Sequence, residues 1–81
     1  MNINIETKFN IGDIVYLAES YEEFSPSKPL TVVCVFVKVT QDNIFIEYGL
    51  CGEGYYERII EDMIFATYEE CSKRCRIYNK N

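Results

Sequence analysis

The chain is 81 residues long, 48% hydrophobic, 15% aromatic and 26% charged, with a net charge of −5. That composition excludes a disordered segment and predicts one ordered domain spanning residues 1–81, small enough that its core must be dense. The longest apolar run, Leu30 to Val39, is far too short to cross a bilayer as a helix and contains Lys38, so no membrane segment is expected.

Charge divides the chain. Residues 1 to 70 hold all 13 acids and only four bases (Lys8, Lys28, Lys38 and Arg58), a balance of −9, whereas residues 71 to 81 hold Lys73, Arg74, Arg76 and Lys80, a balance of +4. An acidic body disfavours general binding to a phosphate backbone, whose affinity comes largely from cationic contacts. The cysteines Cys34, Cys51, Cys71 and Cys75 read as reduced thiols of a cytoplasmic protein, because Met1 to Glu6 lacks the basic-then-apolar order of a secretory leader.

In chain order, Gly12-Asp13 supplies a turn and the run Ile14 to Leu17 reads as a first strand. Ser20 to Pro29 breaks the pattern, since Ser25, Pro26, Ser27 and Pro29 disfavour regular pairing, and it is the longest expected loop. Glu19, Glu22 and Glu23, interleaved with Tyr21 and Phe24, make it an acidic segment with aromatic side chains. Leu30 to Val39 is so rich in β-branched residues that it is predicted to be the central strand. Val33, Val35, Val37 and Val39 fall on one face and Val32, Cys34 and Phe36 on the other, so both faces are expected to be covered, by the fold or by a second copy in a homodimer.

Thr40 to Asn43 reads as a turn, Ile44 to Tyr48 as the returning strand of a hairpin, and Tyr55 to Ile60 as a fourth strand after the glycine-containing Leu50 to Gly54. A short turn at Glu61 to Met63 leads to Ile64-Phe65-Ala66. Thr67 followed three residues later by Glu70 is a capping box, which predicts a helix over about residues 67–78 with Tyr68, Cys71, Cys75 and Tyr78 as its buried stripe. Acids Glu69 and Glu70 at its start and bases Lys73, Arg74 and Arg76 later match the helix dipole.

Two pieces, Phe9-x-x-Gly12-Asp13-x-Val15-Tyr16 and Glu61-Asp62-x-x-Phe65-x-Thr67-x-Glu69-Glu70, resemble the small SH3-like β-barrel proteins of Gram-positive bacteria and their phages. The resemblance implies a mainly β fold, a small barrel of about five antiparallel strands finished by one C-terminal helix. Its motifs are structural and transfer no catalytic residue. The chain departs from that pattern in the loop at residues 19 to 29 and in Cys71 and Cys75 on the helix.

Metal binding by the four thiolates is disfavoured by their spacing: there is no Cys-x-x-Cys and no histidine, so buried small hydrophobes are the plainer reading, with a shared metal or redox role for Cys71 and Cys75 as the weaker alternative. Catalysis is not expected either, because no histidine base, phosphate loop or activated nucleophile is present, and the pairs Glu22/Glu23, Glu61/Asp62 and Glu69/Glu70 read as solvated or helix-start acids. No cofactor is expected. What remains is a non-catalytic protein-interaction module, phage-related by resemblance, with Tyr21, Glu22, Glu23, Phe24 and Tyr55 as candidate partner contacts. The opposing reading folds those aromatics back onto the barrel. The alternative functions are nucleic-acid binding through Lys73, Arg74 and Arg76 with nearby tyrosines, and an acidic inhibitor of a nucleic-acid enzyme.

Overall fold

The computed structural model describes residues 4–80. It is an antiparallel six-stranded sheet with one C-terminal helix: β1 (Ile14–Ser20), β2 (Phe24–Pro26), β3 (Leu30–Val39), β4 (Ile44–Gly52), β5 (Tyr55–Ile60), a 3-10 turn (Glu61–Met63), β6 (Ile64–Phe65) and α1 (Tyr68–Tyr78). The strands run in the order β2-β1-β3-β4-β5, and β6 also pairs with β1. β1 therefore serves three neighbours in succession, β3 at Ile14 and Val15, β6 at Tyr16 and Leu17, and β2 from Ala18 to Ser20. The path does not close, since β5 pairs with β4 alone.

The entry to β1 is fixed by a turn in which the Asp13 N–H donates to the Asn10 carbonyl (3.0 Å) and the Asn10 N–H donates to the Asp13 carboxylate (2.8 Å). Gly12 sits at φ 98°, a left-handed conformation that favours glycine, and its N–H donates to the Val32 carbonyl at 2.8 Å. The turn is thereby tied to the start of β3.

The expected irregular loop holds a strand. Phe24, Ser25 and Pro26 pair with Ser20, Glu19 and Ala18, and Pro26 is tolerated because it ends an edge strand. Ser27 then continues the pairing: its N–H donates to the Leu17 carbonyl (2.7 Å), and its Oγ accepts from the Leu17 N–H (3.0 Å) while donating to the Lys28 carbonyl (2.8 Å). Ser27 is the one buried polar residue in the described core, and its hydroxyl replaces a strand carbonyl. Ser27→Ala strands the buried Leu17 N–H, and urea unfolding should show a loss of about 1–3 kcal/mol.

β3 occupies the predicted span, but its faces change over. The register with β4 shifts between Val32 and Cys34, an irregularity that leaves Val33 as an extra residue. Leu30 and Val32 point into the core before the shift and Val35 packs on it afterwards, while Val33, Val37 and Val39 are exposed. Within the fold itself the two faces of β3 are not both covered: the bulge exchanges them, and Val37 and Val39 at the far end of the hairpin stay exposed in the single chain.

The core is Phe9, Val15, Leu17, Leu30, Val32, Tyr48, Leu50 and Ile64, with Val35, Ile46 and Ile59 packed against it. Each such side chain contributes about 1.5–3 kcal/mol on burial. Tyr48 is wholly buried, packs edge-on against Phe9 at 5.4 Å between ring centroids, and sends its hydroxyl to the Glu61 carboxylate at 2.5 Å. The same hydroxyl accepts from the Phe9 N–H (3.3 Å), and Glu61 accepts from the Lys8 N–H (3.1 Å). One tyrosine thus ties the N-terminal segment, β4 and the 3-10 turn together. Gly49 beside it leaves room for two side chains, since a Cβ there would lie 2.4 Å from Cys34 Sγ and 2.7 Å from the Tyr56 hydroxyl and would displace both.

The helix begins where the capping box predicts. Thr67 is extended at φ −130°, and its Oγ1 accepts from the Glu70 N–H at 3.1 Å; of the two bonds a capping box makes, this is the one formed among the described residues. α1 lies on β1, β2 and β6. Only Cys71 and Cys75 of its expected stripe are buried. Tyr68 packs edge-on against Tyr16 (5.9 Å) and Tyr78 is tilted against Phe24 (4.9 Å), so the tyrosines flank the cysteines and remain partly in solvent.

Candidate functional site

β1 delivers Glu19 and then Tyr21 to its turn with β2, and the two-residue turn Glu53-Gly54 between β4 and β5 delivers Tyr55. Gly54 at φ 66° permits that tight connection. The two turns, far apart in sequence, border one groove of about 440 Å³ floored by Leu17, Leu30 and Pro29 and rimmed by Glu19, Glu53, Tyr21 and Tyr55. It continues into a second hollow of about 380 Å³ between β1 and β5, where Glu57, Ile59 and Met63 join the same two tyrosines. Tyr21 is 82% exposed.

The groove is acidic. Glu19, Glu53 and Glu57 line it against the single cation Lys28. The one ion pair among the described residues joins Arg58 to Glu47, so none of the three groove acids has a cationic partner there. Tyr55 donates its hydroxyl to the Glu57 carboxylate, and burial followed by that hydrogen bond pushes its pKa up to about 12. It stays a neutral donor throughout the physiological range.

Of the five candidate partner contacts, the fold brings Tyr21 and Tyr55 together. Glu22 and Glu23 are exposed at the β1–β2 turn, closed by the Tyr21 N–H donating to the Glu23 carbonyl at 3.2 Å, and they do not line the groove. Phe24 is placed elsewhere: its ring is half-buried on Tyr78, its N–H donates to Asn79 Oδ1 (2.7 Å), and its carbonyl accepts from Asn79 Nδ2 (2.9 Å). The Asn79 carboxamide acts as a short strand and seals the β2 edge. Glu53 and Glu57 were not singled out from sequence and Glu19 was read only as one acid of the loop, although each lies two residues from one of the groove tyrosines.

The alternative residues Lys73, Arg74 and Arg76 are all exposed on α1, with Arg76 donating to Ser72 Oγ at 3.3 Å. Of the tyrosines, Tyr48 is in the core and Tyr16 is half-buried under Tyr68, whereas Tyr68 and Tyr78 of the same helix keep part of their rings in solvent. Tyr56 is 58% exposed on the opposite face from the core, where its hydroxyl meets Cys34 Sγ at 3.5 Å. Arg58 lies on that face 3.9 Å from the Phe36 ring centroid.

The cysteines fall into two environments. Cys34 is half-buried and Cys51 exposed on the sheet, while Cys71 and Cys75 are buried under α1. Burial, then the neighbouring Cys75, pushes the Cys71 thiol up to about 12. Iodoacetamide at pH 8 should therefore label Cys51 first and leave Cys71 unmodified until the chain unfolds, as peptide mass spectrometry will show.

Fold and groove define a small antiparallel β protein with one C-terminal helix and an acidic, aromatic groove between two turns. No family model, curated protein or solved structure matches the chain. Among the described residues no helix is long and apolar enough to cross a membrane.

Proposed function

We propose that the chain is a non-catalytic protein-interaction module of SH3-like barrel type, and that the groove between Tyr21 and Tyr55 receives a basic segment of a partner protein. The observation that carries this reading is the convergence of two exposed tyrosines with Glu19, Glu53 and Glu57 around one hollow. Tyrosine is favoured in binding hot spots because it offers a large amphipathic surface with few rotatable bonds, and the carboxylates complement cations. The return of β6 to β1 after the 3-10 turn supports the barrel type, since it begins to wrap the sheet on itself. The compartment we propose is the cytoplasm, in keeping with the free thiols of the four cysteines, and the resemblance supports a phage-related origin.

Nucleic-acid binding through Lys73, Arg74 and Arg76 is the second reading, favoured by their exposure on the helix. Charge reversal at these three positions separates the two: it leaves capture through the groove intact and abolishes binding to nucleic acid.

A further inference from the structure

The two edges of the sheet are finished differently. The β2 edge is sealed by the Asn79 carboxamide, but among the described residues no strand or side chain hydrogen-bonds to the far side of β5. β5 also lacks the usual guards of an open edge, having no proline, no lysine and no bulge. Its two charges are drawn back onto its own sheet: Glu57 accepts from Tyr55, and Arg58 pairs with Glu47 over Phe36. The hollow of about 380 Å³ lies alongside this edge, between β5 and β1, and takes Tyr55, Glu57 and Ile59 from β5. Those three alternate along the strand and so share one face.

We infer that the partner binds by β-strand addition: an extended segment of another protein pairs its backbone with the open edge of β5 inside the groove. The inference rests on the proposed groove and specifies how it is filled. Main-chain hydrogen bonds supply affinity in this mode, and alternate side chains supply specificity. Facing Tyr55, Glu57 and Ile59, the added strand places a lysine or arginine opposite Glu57 and apolar residues two positions away on either side, with Glu19 across the hollow as a second carboxylate. A second copy of this chain fits less well, because its own β5 would set Glu57 opposite Glu57 in the register that pairs Tyr56 with Arg58.

The test uses the whole chain, labelled for NMR, and a synthetic peptide carrying valine, lysine and valine at alternate positions with threonine between them, with a twin N-methylated at alternate bonds. Binding of the first peptide with slowed exchange of the β5 amides is expected, together with no binding of the twin. Glu57→Lys should weaken the peptide about tenfold, as a favourable cross-strand pair becomes a repulsive one. Equal binding of the N-methylated twin, or binding without protection of β5, overturns strand addition while leaving the groove reading in place. Absence of peptide binding overturns it also, as does protection of β5 without peptide accompanied by a doubled mass, which assigns the edge to a second copy.

Discussion

Tyr48→Ala is expected to remove about 3–5 kcal/mol of stability, the range for truncating a large buried aromatic. Two effects add. The ring occupies the centre of the core with no exposure and packs on Phe9, so its loss opens a cavity that the sheet cannot collapse around. Its hydroxyl is also the acceptor for the buried Phe9 N–H and the donor to Glu61, and without it the Phe9 N–H is left unpaired. Against a total of about 5–15 kcal/mol for a domain, this shifts the thermal midpoint by roughly 15 °C or more. Tyr48→Phe keeps the ring and should lose only about 1–3 kcal/mol, the cost of the unpaired polar groups. Equal losses for the two variants contradict the assignment of the ring to the core.

The same residue predicts how the fold responds to alkali. Burial and the Glu61 hydrogen bond raise the Tyr48 pKa above its ordinary 10.0, as burial raises Cys71 from 9.0 to about 12. The folded chain thus holds both protons more tightly than the unfolded chain does. The Cys71 contribution is complete below pH 9 and is lost as pH rises from about 9 to 12, and the Tyr48 contribution is complete below pH 10 and is lost above it.

Tyr21→Ala together with Tyr55→Ala is expected to cost about 2 kcal/mol or more in partner binding, a loss of roughly thirtyfold. Tyr21 stands in solvent at a turn, so its removal leaves the fold unchanged. Tyr55 gives up one hydrogen bond, to Glu57, at the edge of the sheet. A binding loss with an unchanged thermal midpoint separates a contact residue from a structural one. Steep weakening by salt is the accompanying expectation, since Glu19, Glu53 and Glu57 supply the attraction.

Local chemistry carried much of this fold. The β-branched run of β3, the left-handed Gly12 turn and the Thr67 cap are each determined by neighbours in sequence, and each stands where its residues predict. What was not legible depends on distant partners. The shift at Val33 has no glycine or proline to announce it, and it decides which valines are inside. β2 is hidden by Pro26 and its serines because its pairing with β1 becomes favourable only when α1 and Asn79 cover its other side. Tyr21 and Tyr55 were legible as exposed aromatics, but their meeting across a groove follows from the closing of two separate hairpins. Phe24, similar to Tyr21 in local setting, was drawn instead to Tyr78.

The most direct measurement is capture from a lysate of the native host, treated with nuclease, using the natural chain and the Tyr21→Ala, Tyr55→Ala double variant side by side. The account predicts a protein held by the natural chain, resistant to nuclease, displaced by salt and absent from the variant. Equal capture by both, or loss of all captured material on nuclease treatment, contradicts it and moves the functional surface away from the groove.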